Sequence, residues 1–127
     1  MKPRILVVED NSTNRKLTTD LLRFEGYDVM EAIDAETAVL LLATTLPDLI
    51  LLDIALPGMD GLTLTSQLKA DARIRHVPIV ALTASAMRGD EQKAFSAGCD
   101  GYITKPIDTR AFPGQVAGFL PPAHTAP

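Results

Sequence analysis

Five short apolar runs, RILVVE (4–9), YDVMEA (27–32), LILLD (49–53), VPIVALT (77–83) and GYIT (101–104), punctuate the chain, and each is followed by a segment long enough for a helix. Runs this short, rich in Val, Ile and Leu and apolar at successive positions, predict strands buried on both faces. Between them, apolar residues recur at helical spacing, as in Leu17, Leu21 and Phe24, or Ala35, Ala38, Val39 and Leu42. A strand–helix unit repeated five times, with strands covered on both sides, demands a parallel sheet between two helical layers, an α/β fold. Gly26 and Gly98 stand where the first and fourth helices should stop, Asp34 where the second should be capped. Helix four should have a weak first turn, because Gly89 and Asp90 interrupt it. In helix five Pro113 forbids regular helix from Asp108, so the helix is predicted to begin near Phe112 with Pro113 in its first turn.

At 127 residues, 46% of them apolar and 22% charged, the chain fits one self-folding domain. The boundaries expected are 1–120 for that domain and 121–127, PPAHTAP, for a flexible Pro- and Ala-rich tail. A net charge of −4 with scattered basic residues lacks the field that nucleic acid or an anionic membrane would require. No stretch is apolar enough for a membrane span or a signal peptide, so a cytoplasmic protein with protein partners is expected. Cys99 is alone, and His76 and His124 have no ligand partners at metal-binding spacing, which argues against a disulfide or zinc.

Within this fold class, ligands bind beyond the carboxyl ends of the strands. The residues there are Glu9 and Asp10 after the first run, Asp53 closing the third, Thr83 closing the fourth, and Lys105 after the fifth. Three carboxylates about 5 Å apart repel by roughly 3 kcal/mol per pair at an effective dielectric near 20. A hard divalent cation with oxygen ligands, Mg²⁺ in preference to zinc or copper, removes that conflict. A phosphoryl group could complete its shell. Thr83 then offers a hydroxyl and Lys105 an ammonium to phosphoryl oxygens, and Asp53 can serve as a nucleophile forming an acyl phosphate.

These residues sit in VVEDN with Asn14-Arg15, DLILLDIALPGMDG, ALTA and YITKPI, and together the four motifs resemble the receiver domain of bacterial two-component response regulators. The similarity covers about residues 4 to 120. Through TLPDLILLDIALP, ALTASAMRGDE and AGCDGYITKPI it is strongest toward the single-domain DivK type, within the CheY-like group. The resemblance implies a flavodoxin-like (βα)5 sandwich with a five-stranded parallel sheet in order 2-1-3-4-5. It implies that Asp53 is the phosphoacceptor, that Asp10, Asp53 and the Ala55 backbone carbonyl hold Mg²⁺, and that Glu9 acts through water. Thr83, the Ala84 amide and Lys105 would hold phosphoryl oxygens, Tyr102 would be the switch aromatic, and the bond before Pro106 would be cis.

The implied partners are a histidine kinase or histidine phosphotransferase and a separate downstream protein, with the chain a monomer or weak homodimer. It would not be an enzyme beyond accepting its phosphoryl group and losing it slowly. Small residues at Ala55 and Ser85 would leave water room to attack. Three rivals stand beside this reading. An aspartate-nucleophile phosphatase of the haloacid dehalogenase type needs a second Asp two residues after the first, where this chain has Ala55. A flavodoxin would cradle phosphate in its first loop, but EDNSTN opens with two negative charges. A receiver-like scaffold without phosphoryl chemistry would not need every reactive position intact.

Overall fold

The computed structural model describes residues 2–55, 61–83, 90–105 and 107–120. Its elements alternate as expected: β1 (Arg4–Val8), α1 (Ser12–Phe24), β2 (Asp28–Ala32), α2 (Ala35–Leu42), β3 (Leu49–Asp53), α3 (Gly61–Ala70), β4 (Ile79–Thr83), α4 (Asp90–Ala97), β5 (Gly101–Thr104) and α5 (Phe112–Phe119). All five strands are parallel, in the order β2-β1-β3-β4-β5. The apolar runs behave as their composition requires. Every residue of β3 and β4 is buried, as are Ile5 to Val8 of β1, while the edge strand β2 is only partly covered, with Asp28 and Glu31 exposed and Ala32 buried.

Because successive strand residues point to opposite faces, the sheet divides the core in two. On one side Leu6, Val8, Ile50 and Leu52 pack with Ala35, Ala38 and Leu42 of α2, Leu64 and Leu68 of α3 and Ala94 of α4. On the other Ile5, Val7, Leu49 and Leu51 pack with Leu22 of α1 and with Phe112 and Val116 of α5. Among the described residues, no helix is long and apolar enough to cross a membrane.

The helix signals hold where they rest on capping chemistry. Asp34 accepts the Thr37 N–H at 2.8 Å as the N-cap of α2, and Gly26 and Gly98 both adopt positive φ just past their helices. Helix α5 begins at Phe112 with Pro113 in its first turn; a tighter turn precedes it, whose Arg110 and Ala111 N–H groups Asp108 accepts. Residues 84–89 and Pro106 lie outside the described residues, and with them the interrupted first turn of helix four, the Ala84 amide and the peptide bond before Pro106.

One expectation needs correction. Of Leu17, Leu21 and Phe24 in α1, only Leu21 packs against the core: Leu17 is 40% exposed and Phe24 88% exposed, while Thr18, Thr19 and Leu22 are buried. Threonine can occupy those positions because Thr18 Oγ1 donates to the Asn14 carbonyl at 2.9 Å and Thr19 Oγ1 to the Lys16 carbonyl at 3.2 Å. With the hydroxyls satisfied inside the helix, the methyl groups face inward at little cost. Val39 of α2 is likewise 44% exposed, whereas Ala35, Ala38 and Leu42 are buried as expected.

Candidate functional site

Parallel strands all deliver their carboxyl ends to one edge, and that edge gathers the polar residues. Glu9 follows β1 directly, its N–H bonded to the Ala32 carbonyl of β2 at 3.0 Å. Asp53 is the last residue of β3, in register with Leu82 of β4. Thr83 is next along β4, and its carbonyl accepts the Lys105 N–H at 2.6 Å, setting Lys105 just past β5. Glu9, Asp53 and Thr83 are each at most 3% exposed, while Asp10 faces solvent.

Lys105 ties the carboxylates together. Its Nζ lies 3.0 Å from Glu9 Oε1 and 3.0 Å from Asp53 Oδ2. Asp53 Oδ1 accepts the Ala55 N–H at 2.9 Å, so both oxygens of the proposed nucleophile are oriented. At the start of α3 the Gly61 N–H donates to the Ile54 carbonyl at 3.1 Å. No larger residue fits at 61, because an added Cβ would lie 2.5 Å from both the Asp53 carbonyl oxygen and the Ile54 Cα.

Arg15 of α1 received no role from the sequence, yet it organises the acidic loop. Its guanidinium donates to the carbonyls of Glu9 (3.0 Å) and Asp10 (3.4 Å) and pairs with Glu31 of β2 at 3.3 Å. Asn11 caps α1 by accepting the Asn14 N–H at 2.9 Å, which fixes where the acidic pair leaves the sheet. That cap was readable from the Asn-x-x-Asn spacing; the Arg15 contacts, which depend on backbone carbonyls, were not.

One ligand atom from each of Glu9, Asp10 and Asp53 lies within 4.8 Å of the others. Three hard oxygen donors converging there fit Mg²⁺. Ala55 meets Asp53 through its N–H, and Thr83 reaches the site by strand register. Tyr102 stands apart: its half-buried ring meets Phe95 of α4 edge-on, centroids 6.1 Å apart at 88°.

The electrostatics follow from burial and crowding. Burial works to raise the pKa of Asp53, but its hydrogen bonds with Glu9, Ala55 N–H and Lys105, together with the Lys105 charge, outweigh burial and hold it below its ordinary value. Glu9 goes the other way: burial and then Asp53 push its carboxyl up from 4.5 to about 7, against the smaller pull of Lys105. Lys105 is held above its ordinary value, because both carboxylates outweigh its burial. The two carboxyls titrate as a pair.

The sign of the resulting pH dependence can be worked out. Between the ordinary carboxylate range and about pH 7 the folded chain keeps a proton on Glu9 that the unfolded chain has released, so stability falls as pH rises through that window. Asp53 contributes stability that is complete above the ordinary carboxylate range, and does not offset the fall. Urea midpoints measured in chelator are therefore expected to decline from about pH 5 to pH 7. Glu9→Gln should flatten the profile, and a native profile already flat there would contradict the assignment.

The chain matches the response regulator receiver domain family over residues 5–116. It is 41% identical over 120 residues to the polar-differentiation response regulator DivK of Brucella anthropi, a span covering 94% of this chain and 98% of the relative. Among solved structures, the receiver domain of a sensor histidine kinase from Pseudomonas aeruginosa, described with a magnesium ion coordinated in its active site cleft, superposes with a TM-score of 0.86 at 34% identity, covering 94% of this chain and 98% of that one. A chemotaxis response regulator of Vibrio cholerae shares the fold with a TM-score of 0.90 at 22% identity, covering 94% of this chain and all of that one. The acidic edge, its bridging lysine and the 2-1-3-4-5 sheet thus have a common explanation: the chain belongs to the receiver domain family of two-component response regulators.

Proposed function

We propose that this chain accepts a phosphoryl group from the phosphohistidine of a kinase or phosphotransferase onto Asp53, and that the changed surface of α4, β5 and α5 controls a separate protein. The observation that carries the reading is Asp53 itself. It is buried at the end of a central strand, aimed by the Ala55 N–H, and ion-paired at 3.0 Å with Lys105 beside Glu9 and Asp10.

An Asp53 oxygen attacks phosphorus, the bond from phosphorus to the histidine nitrogen breaks, and its electron pair leaves with the imidazole, which takes up a proton. Mg²⁺ held by Asp10, Asp53 and the Ala55 carbonyl, with Glu9 acting through water, would screen the approach of one anion to another. Lys105, which pairs with the carboxylates before transfer, turns to a phosphoryl oxygen afterwards, and the Thr83 hydroxyl and Ala84 amide hold the others. Movement of Thr83 toward the phosphoryl group frees space into which Tyr102 turns. The Tyr102 ring rests edge-on against Phe95 of α4, so its rotation couples the site to that helix. A phosphoryl group shifts the equilibrium only by its differential affinity for the two arrangements, and Lys105 supplies part of that difference by changing partners.

Incubation of the native chain with acetyl phosphate and Mg²⁺, followed by intact-mass measurement and peptide mapping, tests the chemistry. A single phosphoryl adduct in the peptide containing Asp53 is expected. No adduct, or one in another peptide, overturns the proposal.

A further inference from the structure

The guanidinium of Arg15 divides its planar fork between two partners. Nε pairs with Glu31 Oε1 at 3.3 Å, while Nη1 donates to the Glu9 carbonyl at 3.0 Å and, more weakly, to the Asp10 carbonyl at 3.4 Å. Its anchor is held in turn. Glu31 lies on β2 in register with Val7 of β1, and its second oxygen accepts from Arg23 at 3.1 Å. Both arginines belong to α1, so that helix and β2 together fix the guanidinium against residues 9–11.

The two carbonyls it holds bear on where the acidic side chains point. In a trans peptide the C=O and the N–H face opposite ways. The Asp10 carbonyl is turned to Arg15, and the N–H of the same peptide, which belongs to Asn11, donates to Glu9 Oε2 at 3.3 Å. Glu9 Oε1 is the oxygen that Lys105 Nζ meets at 3.0 Å. Each oxygen of this buried carboxylate therefore has its own donor, and one of those donors is oriented by Arg15. Asp10 is the exposed member of the acidic group, and the carbonyls before and after its Cα are the two that Arg15 binds.

We infer, on the reading of this edge as a Mg²⁺ and phosphoryl site, that Arg15 is a positioning residue for the cation. By fixing both peptides it keeps Glu9 and Asp10 aimed at the point where their ligand atoms meet that of Asp53, and so sets the affinity for Mg²⁺. Its charge alone would do the opposite, because a positive group beside a cation site repels the incoming ion. The direction of the change on removing Arg15 thus separates positioning from charge.

The test is a Mg²⁺ titration of the full chain, followed through NMR amide shifts with no phosphoryl donor present. Arg15→Gln should bind Mg²⁺ roughly tenfold more weakly than the native chain, the scale expected for groups that orient metal ligands. Arg15→Lys keeps the charge but puts a single ammonium in place of the fork, and it should bind more weakly too. Before metal is added, the Asn11 amide should exchange with solvent faster in both variants. Arg23→Gln removes the same charge from the same helix, and among the described residues Arg23 bonds to neither loop carbonyl, so this variant should match the native affinity. Native-like affinity in either Arg15 variant, or an equal loss in Arg23→Gln, would overturn the assignment. A native chain that binds no Mg²⁺ would sink the cation site and the role of Arg15 with it, whereas an Asp53 that takes up no phosphoryl group would leave the titration result standing.

Discussion

Asp53→Asn is expected to take up no phosphoryl group under conditions that label the native chain fully, and to be at least as stable. The amide has nearly the shape of the carboxylate, and its oxygen still accepts the Ala55 N–H that now lies 2.9 Å from Oδ1. What it lacks is a nucleophilic anion, because an amide oxygen or nitrogen is too weakly basic to attack phosphorus. Removing one member of a buried ion pair is usually destabilising, since it strands the other charge. Here Lys105 keeps Glu9 at 3.0 Å, so its ammonium is not stranded, and the edge loses one of its three crowded carboxylates. The substitution also removes the neighbour that pushes the Glu9 carboxyl up, so Glu9 should ionise more readily. Intact mass and urea denaturation of both chains check the two halves of this expectation separately. An adduct retained on the substituted chain would sink the nucleophile assignment, and a marked loss of stability would mean that Lys105 depends on Asp53 more than on Glu9.

The fold was legible wherever burial alone dictates sequence. LILLD and the residues of β1 and β4 are covered on both faces and read as unbroken apolar runs, and parallel strands send their ends to one edge without further instruction. That is why Glu9, Asp10, Asp53, Thr83 and Lys105 could be grouped from sequence although Lys105 and Glu9 are 96 positions apart. Legibility failed where a polar group is satisfied locally. Thr18 and Thr19 satisfy their hydroxyls on their own helix, and so they displaced Leu17 and Phe24 from the expected face of α1. Backbone carbonyls carry no sequence signature, which hid the role of Arg15. They also hid Lys69, whose ammonium holds the carbonyls of Arg75 and Val77 and the carboxylate of Asp100, while Asp100 accepts the Ile79 N–H at the start of β4. The sequence reading assigned Lys105 to phosphoryl oxygens; with carboxylates alone at the edge, it pairs with them because they are the nearest negative charges.

Phe112→Ala should cost about 3–5 kcal/mol, a large share of the roughly 5–15 kcal/mol that holds a domain of this size together. The ring is fully buried within the cluster formed by Ile5, Val7, Leu51, Leu82 and Val116, so its removal leaves a cavity lined by both the sheet and α5. Collapse into that cavity is resisted on both sides. The Phe112 N–H is bound to the Asp108 carbonyl at 2.8 Å, and the Pro113 ring fixes φ at the next residue. The surroundings therefore relax little, which favours the upper part of the range. Phe24→Ala makes the same chemical change at a position 88% exposed and should shift stability by no more than about 0.5 kcal/mol. Urea midpoints of the two variants thus test both helical faces together. A large loss at Phe112 with almost none at Phe24 is expected; comparable losses would restore the apolar face of α1 that the sequence first suggested.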